Sequence, residues 1–535
     1  MATCGEKLIQ ILESYRIELV FGIPGVHTVE LYRGLKRSSI RHITPRHEQG
    51  AGFMADGYAR ATGAVGVCFI ITGPGMTNIA TAMAQARQDS IPMLVISTVS
   101  RSNQLGMGEG RLHELPHQRN LVAEVAVFSH TLFGAEELPK VMARAFGVFA
   151  SQRPGPVHIE IPLDVIASEA DSIDTAAWSL PSAPAAPPET IDRAAALLRD
   201  AQRPLIAIGG GAIRAGAEVM QLAETLGAPV VNTVNAKGVV PSSHPLSVGG
   251  SGSSAPVRGA FRDADIVLGV GTEFAETDYD LYLNGDIAFD GKLIRIDIDA
   301  AQLSRNLKPH LAIYSDARHA LAALNASLEQ NPPTSNDGES RAQAIRDALH
   351  RERDERYQAF FDAIRDTLPE AIIAGDSTQP TYYACLHYET DAPRRYFHSA
   401  SGYGTLGYAI PAAIGAKLGR LNQPVIALIG DGAAQFTLGE IASAVGARAS
   451  VIFLIWNNQG YAEIQRCFKE SGVESVGVEL HTPDFVALGK SLGCSACRAS
   501  NLEELKNALK TAAESPAPTL IEVRQADFVD GYAPL

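Results

Sequence analysis

Short, unbroken runs of apolar residues, each ending in glycine or a turn, recur along this chain of 535 residues. Such runs, followed by helical patterns, are typical of parallel strands that are buried between layers of helices. They form three groups, at residues 65–73, 92–97 and 156–162; at 204–211, 229–234, 265–271 and 293–299; and at 371–376, 424–432, 451–458 and 518–523. The sequence therefore predicts an α/β fold of three doubly wound parallel-sheet domains.

Two proline-containing segments separate these groups, at residues 179–190 and 331–340. Their composition is typical of exposed linkers. A chain of this length also exceeds what one hydrophobic core usually organises. We therefore predict domains at residues 1–178, 190–330 and 341–535.

The charge of the chain argues against binding to anionic polymers. It carries 45 basic and 59 acidic residues, a formal net charge of −14 without long runs of one sign. We therefore expect no binding to nucleic acid or to a membrane surface. The amino terminus lacks the pattern of a signal peptide, and no segment approaches the roughly 20 apolar residues of a membrane helix. A cytoplasmic protein is expected, with any anionic ligand held locally.

Cys494 and Cys497 form the only C-x-x-C among six cysteines. No second pair lies nearby, and we interpret the segment as a short turn. Ordinary buried thiols in a reducing cytosol are therefore favoured over a zinc or redox site.

Ligands of doubly wound sheets bind beyond the carboxyl ends of the strands, so functional residues are expected in those loops. The run at residues 65–73 leads into TGPGMTN, a glycine-proline-glycine turn that starts a helix. In the central group, the loop GGGAIRAG at residues 209–216 does not match G-x-G-x-x-G. An NAD-linked oxidoreductase that uses the central domain is therefore a weaker alternative, which a nicotinamide titration would test.

A later pair of loops favours a site for magnesium and phosphate. GDGAAQ directly follows an apolar run, 24 residues lie between Gly432 and Asn457, and the next run ends in NNQGY. Because one helix joins adjacent parallel strands, this interval places Asp431 and Asn458 side by side at one sheet edge. A carboxylate, an amide oxygen and a backbone carbonyl suit Mg²⁺. A helix beginning just after Gly432 would direct its positive end at bound phosphates.

The interval between GDG and NN resembles the magnesium and diphosphate motif of thiamine diphosphate enzymes. Further segments are similar to the acetolactate synthase-like branch, in the same order and over essentially the whole chain: GIPG, RHEQGAGFMADGYAR, TGPGMTN, PGPVHIEIPLD and GYGTLGYAIPAAIGAK. The resemblance implies a pyrimidine-binding, a central and a diphosphate-binding domain. It also implies a small 2-oxo acid as substrate, and active sites shared between subunits of a dimer or of a homotetramer built from dimers.

The resemblance further implies roles for individual residues. Glu48 would hydrogen-bond N1′ of the aminopyrimidine, Leu406 would bend the cofactor, and the backbone of Gly404 would accept from its 4′-amino group. The metal ligands would be Asp431, Asn458 and the carbonyl of Gly460. The other residues assigned to the cofactor are Pro24, Thr72, Asn78, Thr405, Gly430, Gly432, Ala433 and Tyr461.

The chemistry implied by this family begins at Glu48. A carboxyl group at N1′ favours the imino tautomer, and loss of the thiazolium C2 proton then gives the ylid that attacks a 2-oxo acid. Carbon dioxide leaves, and the enamine is released as an aldehyde or adds to a second carbonyl. An apolar setting would keep the proton of Glu48 available. Its neighbours Gly50, Ala51 and Gly52 would let the cofactor of another subunit approach.

The chain departs from its relatives in several places. Residues 269–278, GVGTEFAETD, lack the arginine of a GVRFDDR-like stretch, so FAD is not expected. Ala433 stands where the family has the serine of GDGS. Pyruvate-type decarboxylases have two adjacent histidines on the substrate loop, where this chain has His113 followed by Glu114. His113 falls about where synthases have glutamine and is a candidate catalytic residue; the alternative is an exposed loop histidine.

Glu463, in GYAEIQR, bears on the identity of the substrate. It falls one residue before the glutamate position of pyruvate decarboxylase, on a helix that lines the substrate pocket in the family. A carboxylate there would pair well with a guanidinium group, unless it merely faces solvent. The leading hypothesis is therefore decarboxylation of a 2-oxo acid, with 5-guanidino-2-oxopentanoate (2-ketoarginine) as the candidate substrate.

Two alternatives remain. One is acetolactate formation from two pyruvates, which differs only in the fate of the enamine. The other is a non-catalytic cofactor-binding or regulatory homologue. Intact Glu48, Asp431 and Asn458 argue against the second, because a binding protein does not need an acid at N1′.

Overall fold

A computed structural model describes residues 1–250, 252–281, 285–333 and 337–529. Part of the predicted second linker and the end of the predicted third domain lie outside the described residues, at 334–336 and 530–535. None of the helices in the described part of the chain combines the length and apolar character that crossing a bilayer requires.

The described chain forms two compact units. The first comprises Met1–Pro181, Ile364–Thr378 and His398–Leu535, and the second Ser182–Ala363 and Gln379–Phe397. Three sheets are present, and their strands pair in parallel, as predicted. The first unit contains the first sheet and five strands of the third, while the second unit contains the central sheet.

The strands of the three sheets are ordered as in doubly wound folds. The first sheet has the order β2-β1-β3-β4-β6-β5, with β1 Leu19–Gly22, β2 Arg41–Ile43, β3 Gly66–Ile70, β4 Met93–Val99, β5 Phe128–Thr131 and β6 Pro156–Pro162. The central sheet has the order β11-β10-β9-β7-β8, with β7 Pro204–Ile208, β8 Val230–Asn232, β9 Ile266–Val270, β10 Lys292–Asp297 and β11 Leu311–Tyr314. The third has the order β13-β12-β14-β15-β17-β16, with β12 Ile372–Gly375, β13 Tyr396–His398, β14 Val425–Gly430, β15 Ile452–Asn457, β16 Ser495–Ala499 and β17 Thr519–Arg524.

Helices connect these strands and cover their faces. Those up to the first linker are α1 Cys4–Ser14, α2 Val29–Arg33, α3 Glu48–Thr62, α4 Pro74–Gln88, α5 Gln118–Ala123, α6 Leu138–Ser151 and α7 Leu163–Ile166. Those that follow up to the third sheet are α8 Pro188–Arg199, α9 Gly216–Leu226, α10 Ala255–Asp263, α11 Glu276–Tyr279, α12 Ala317–Glu329, α13 Gly338–Arg351 and α14 Glu355–Thr367. The remaining helices are α15 Gln379–His387, α16 Ala409–Gly419, α17 Asp431–Ala434, α18 Gly439–Ala447, α19 Ala462–Glu470, α20 Phe485–Ser491, α21 Leu502–Glu514 and α22 Gln525–Phe528.

Each predicted apolar run contains a strand, but six strands lack such a run: β1, β2, β5, β11, β13 and β16. Four of them, β2, β5, β11 and β16, lie at sheet edges and are partly exposed. The buried strands β1 and β13 are short, with four and three residues. Partial exposure breaks the continuous apolar pattern of a buried strand, as the alternation of buried and exposed residues in β11 shows. Cys497 lies in β16 rather than in a turn, which corrects the interpretation of the C-x-x-C segment; Cys494 immediately precedes the strand and is buried.

Helices α3 and α16 cross so closely that their backbones are in contact. A Cβ atom at Gly57 would lie 2.0 Å from the carbonyl oxygen of Ala412, and one at Gly415 would lie 1.8 Å from that of Met54. Only glycine fits at such distances. The crossing joins a helix of the first sheet to a helix of the third, and it positions the amino-terminal ends of both.

We predict that Gly57→Ala destabilises the protein by about 1–3 kcal/mol or more, because the added methyl group forces the two backbones apart. Gly446→Ala is the matched control. Gly446 also lies in a helix, but it is exposed, and the nearest atom to a new Cβ is Nη2 of Arg46 at 3.8 Å. The control should be neutral or stabilised by up to about 1 kcal/mol. Urea unfolding measures both, and equal stabilities of the two variants would contradict the tight crossing.

Candidate active site

Asp431 and Asn458 are neighbours at the carboxyl edge of the third sheet. Strand β14 pairs in parallel with β15, with Gly430 opposite Trp456. The backbone N–H of Asn458 donates to Oδ1 of Asp431 over 3.2 Å. The juxtaposition predicted from the interval between the two motifs is therefore confirmed. Their assignment as metal ligands stays a prediction.

A loop beyond helix α19 adds a residue that the sequence did not indicate. The hydroxyl of Thr482 donates to Oδ2 of Asp431 over 3.2 Å. The same loop pairs with the segment that follows β15, because Gly460 forms an antiparallel bridge with Glu479. Gly460 has φ of 157°, and a Cβ there would lie 2.4 Å from the carbonyl oxygen of Val478. This contact joins two irregular segments, so neither helical nor strand periodicity could have revealed it.

The GDG segment is buried, and its helix begins earlier than predicted. Burial raises the pKa of Asp431, while the hydrogen bonds that it accepts act in the opposite direction. Helix α17 begins at Asp431 itself and ends at Ala434, and the next helix starts only at Gly439. The helix predicted to begin just after Gly432 therefore begins two residues earlier, at Asp431. A Cβ at Gly432 would lie 2.7 Å from the ring of Tyr461, so glycine permits this close packing. The other two members of the segment, also buried, are Gly430 and Ala433.

Glu48 is the first residue of α3 and is half-buried. The side-chain amide of Asn78 donates to its Oε2 over 2.9 Å. A Cβ at Gly75, in the TGPG turn, would lie 3.5 Å from Cγ of Glu48. The carboxyl group therefore stands at the margin of the buried helix, held by one amide, and is not enclosed within the helix packing.

A buried polar network supports the TGPG turn. Thr72 is fully buried, and Gly73 has φ of 69°. The N–H of Gly73 donates to Oε1 of Gln118 over 2.8 Å, and the amide of Gln118 in turn donates to Glu160 over 3.1 Å. A Cβ at Gly73 would lie 2.4 Å from the carbonyl oxygen of His113. Glu160 lies within the motif PGPVHIEIPLD, but neither its role nor that of Gln118 was indicated, since a buried hydrogen-bond partner has no spacing signature in the sequence.

The loop that precedes α16 exposes its backbone. Gly404 is exposed with φ of 71°, and no heavy atom lies within 4 Å of where its Cβ would be. Leu406 is half-buried. Asp376 holds the end of the loop, because its Oδ2 accepts the N–H of Ala409, the first residue of α16, over 3.0 Å. Burial raises the pKa of Asp376 to about 6, against the effect of the backbone N–H groups around it.

Side chains of α3 and α4 fix the same loop laterally. Oε1 of the buried Gln85 accepts from the hydroxyl of Thr405 over 2.9 Å. The amide of Gln85 donates to Asp89 over 2.6 Å, Asp89 pairs with Arg60 over 2.5 Å, and Arg60 also pairs with Asp56 over 2.6 Å. Helices of the first sheet therefore hold a loop of the third sheet through a buried chain of polar contacts.

His113 is half-buried, and its ring contacts the ring of His27 edge to face, with centroids 5.1 Å apart. It is therefore more than an exposed loop histidine, although its contact with a substrate stays a prediction. Pro24 is exposed in the loop after β1. Sequence reasoning missed His27, although its place two residues after GIPG, in the loop that follows a strand, is a signal that could have found it.

Glu463 is the second residue of α19, with 29% of its side chain exposed. It pairs with Arg466, and Arg466 also pairs with Glu470 over 2.5 Å. The expected free carboxylate is thus engaged by a neighbour on its own helix. Exposed pairs of this kind are weak, so a guanidinium ligand can compete for the carboxylate.

Three family models match the chain in order. They are the N-terminal TPP binding domain of thiamine pyrophosphate enzymes at residues 2–121, the central domain at 191–324 and the C-terminal TPP binding domain at 376–523. The chain belongs to the thiamine pyrophosphate enzyme family. The predicted family and the three α/β domains are thereby confirmed, while the domain boundaries stay predictions.

Curated relatives align over nearly the full length. The probable 2-ketoarginine decarboxylase AruI of Pseudomonas aeruginosa is 43% identical over 530 residues, which cover 98% of this chain and 94% of that protein. The acetolactate synthase large subunit of Corynebacterium glutamicum is 32% identical, covering 99% and 87%. The isozyme 1 large subunit of acetolactate synthase from Escherichia coli is 33% identical, covering 98% and 94%.

The residues of the site fit thiamine diphosphate with Mg²⁺. The buried carboxylate of Asp431 lies beside Asn458, and the hard oxygens of these residues and of Gly460 are ligands that Mg²⁺ accepts. A bound cation would offset the unfavourable burial of the carboxylate. No heavy atom lies within 4 Å of where a Cβ of Gly404 would stand, so the pyrimidine ring of the cofactor could approach this exposed backbone.

We predict that Asp376 makes the stability of the cofactor-free protein depend on pH. Its pKa rises on folding from 3.8 to about 6, so the stabilisation is fully present below about pH 4 and is lost as the pH rises through about 6. Over this interval the free energy of unfolding of the wild type should fall, relative to Asp376→Asn, by about 3 kcal/mol. Urea unfolding at a series of pH values tests this, and parallel curves for the two proteins would contradict it.

Proposed function

We propose that this enzyme uses thiamine diphosphate and Mg²⁺ to decarboxylate a basic 2-oxo acid, 5-guanidino-2-oxopentanoate. The observation that carries the proposal is the 43% identity, over 98% of the chain, to a protein named as a probable 2-ketoarginine decarboxylase. The acetolactate synthases are more distant, at 32% and 33% identity. A carboxylate on helix α19, Glu463, supports a cationic substrate.

When bound, the cofactor supplies a carbon nucleophile at C2 of its thiazolium ring, and that ring is also an electron sink for the C–C bond to the departing carboxylate. In this proposal Glu48 holds a proton at N1′ of the pyrimidine. Asn78 fixes one oxygen of that carboxyl group, which leaves Oε1 for the ring. Gly404 and Leu406 orient the pyrimidine, and Thr405 is held in place by Gln85. Pro24 and Thr72 border the ring.

Mg²⁺ in this proposal is bound by Asp431, Asn458 and the carbonyl of Gly460. Buried Gly430, Gly432 and Ala433 leave room for the diphosphate, and the ring of Tyr461 covers Gly432. Helix α17 has only four residues, so the proposal does not assign binding of the diphosphate to a helix dipole.

We also propose that two subunits share each active site, in a dimer or a tetramer, within the cytoplasm. Large apolar side chains are exposed beside the site residues: Tyr403 at 55%, Phe436 at 56% and Val26 at 69%. Exposed apolar side chains on three of the site loops favour a contact with another chain.

Glu48→Gln is expected to abolish decarboxylation while cofactor binding stays measurable by calorimetry, because the amide cannot exchange a proton with N1′. Glu503→Gln, also in the first turn of a helix, is the control and should keep full activity. Turnover by Glu48→Gln at the wild-type rate would refute the role of Glu48. A wild type that binds the cofactor but releases no CO₂ from any 2-oxo acid would favour a non-catalytic homologue.

A substrate panel with CO₂ detection tests the specificity. We expect the guanidino acid to be turned over with a higher kcat/KM than pyruvate. Glu463→Gln should raise KM for the guanidino acid by roughly 10- to 100-fold, as loss of a charged hydrogen bond predicts, and should leave pyruvate kinetics unchanged. Glu470→Gln, which also removes a partner of Arg466, is the matched control without this effect.

The second candidate function is acetolactate formation, favoured by full-length similarity to the synthases. If the enzyme forms acetolactate from pyruvate and does not turn over the guanidino acid, acetolactate synthesis replaces the proposed decarboxylation.

A further inference from the structure

Three chain segments converge where helices α13 and α15 end, in the second compact unit. Gly250, between β8 and α10, lies at the meeting point. A Cβ there would lie 3.0 Å from Cδ1 of Leu349 in α13 and 3.6 Å from the carbonyl oxygen of Leu386 in α15. His350 and His387 follow these two leucines in the chain, so the last turn of each helix carries an imidazole to this junction.

Two nitrogen atoms close to this junction lack a hydrogen-bond partner. Within the described residues, Nδ1 of His387 and Nε of Arg353, two residues beyond α13, are both buried and unpaired. His387 is only 8% exposed, and Arg353 is half-buried. Because a buried polar atom without a partner is costly, two of them at one place point to a ligand.

The side chain of Tyr383 lies beside both groups. Its ring contacts that of His387 with centroids 4.8 Å apart, and it stacks on Tyr357, four residues after Arg353, with centroids 5.5 Å apart. Burial raises the pKa of Tyr383 to about 12, against the effect of the Arg353 charge. Burial lowers the pKa of His387 to about 4, and the charge of Arg353 adds to this shift. The guanidinium group therefore lies near both rings.

The acidic side chains close to this junction already have cationic partners. Glu389 accepts from the buried ammonium group of Lys237 over 2.9 Å, and Asp354 pairs with Arg356 over 2.6 Å. Arg353 itself forms no ion pair within the described residues. One negative charge from outside the chain would therefore balance the charge of its guanidinium group.

We propose that Arg353 and His387 bind the carboxylate group of a small molecule. The planar guanidinium offers adjacent N–H donors that match the two oxygens of a carboxylate, and Nδ1–H of a neutral His387 offers one more. A carboxylate brings the single negative charge that Arg353 requires, whereas a phosphate dianion brings one in excess. The bound group joins the end of α15 to the segment between α13 and α14.

This site goes beyond the proposed function. It lies in the second compact unit, whereas every residue that the proposed function assigns to thiamine diphosphate or Mg²⁺ lies in the first. Binding of the carboxylate therefore does not depend on whether the chain decarboxylates a 2-oxo acid, and its test needs no turnover.

Chemical modification of arginine tests the proposal on the wild-type protein. Phenylglyoxal reacts with guanidinium groups, and peptide mass spectrometry identifies each modified arginine. We expect sodium acetate to slow the modification of Arg353 severalfold, relative to sodium chloride at equal ionic strength. Arg351, exposed at the end of α13, is the matched control and should react equally fast in both salts. Equal rates for Arg353 in both salts would overturn the proposal.

Sodium phosphate at the same ionic strength separates the two classes of anion. Protection of Arg353 by acetate that equals or exceeds its protection by phosphate supports a carboxylate site. Stronger protection by phosphate would overturn the assignment to a carboxylate and indicate a phosphate site in its place.

A variant then tests the second donor. His387→Phe keeps a ring against Tyr383 but removes Nδ1. The acetate concentration for half-maximal protection of Arg353 should therefore rise roughly 10- to 100-fold, as loss of a charged hydrogen bond predicts. His310→Phe, at an exposed histidine of the same unit, should leave that concentration unchanged. An unchanged concentration in His387→Phe, with its fold intact by circular dichroism, would overturn the pairing of the two donors.

Discussion

The close crossing of α3 and α16 is the contact on which the site depends. Gly57 and Gly415 remove the side chains that would otherwise separate the helix backbones. Glu48 begins the first of these helices, and the loop with Gly404 and Leu406 leads into the second. A shift at the crossing would therefore displace both the acid and the loop that the proposed function assigns to the pyrimidine.

Buried polar contacts make this arrangement specific. Apolar packing alone would allow the two helices to slide along each other. A buried ion pair prevents this, because separating its partners would leave a buried charge uncompensated. Arg60 forms ion pairs with both Asp56 and Asp89. Gln85 donates to Asp89 and accepts from Thr405, so it connects these pairs to the loop. Gln118 and Glu160 do the same for the TGPG turn. Each network holds a loop that carries candidate site residues.

Parallel topology brings together Asp431 and Asn458, which the proposed function assigns to Mg²⁺. In a parallel sheet, consecutive strands end at the same edge, so two loops far apart in sequence become neighbours. Asp431 and Asn458 could be placed in this way from the sequence, and the structure confirms their contact. Thr482 could not, because it reaches Asp431 from an irregular loop whose path depends on the bridge between Gly460 and Glu479. Likewise the start of α17 was mispredicted, because helix ends are decided by local packing more than by pattern.

The sequence by itself determined the α/β class, the three sheets, the family and the pairing of the GDG and NN loops, because each leaves a periodic or motif-spaced signal along the chain. The edge strands, the support of the loops by Gln85 and Gln118, and the meeting of His27 with His113 were decided only by the tertiary structure. The contacts among them join side chains that lie on, or hold, irregular loops. There the partner is chosen by three-dimensional proximity, and a sequence without periodicity carries no record of it.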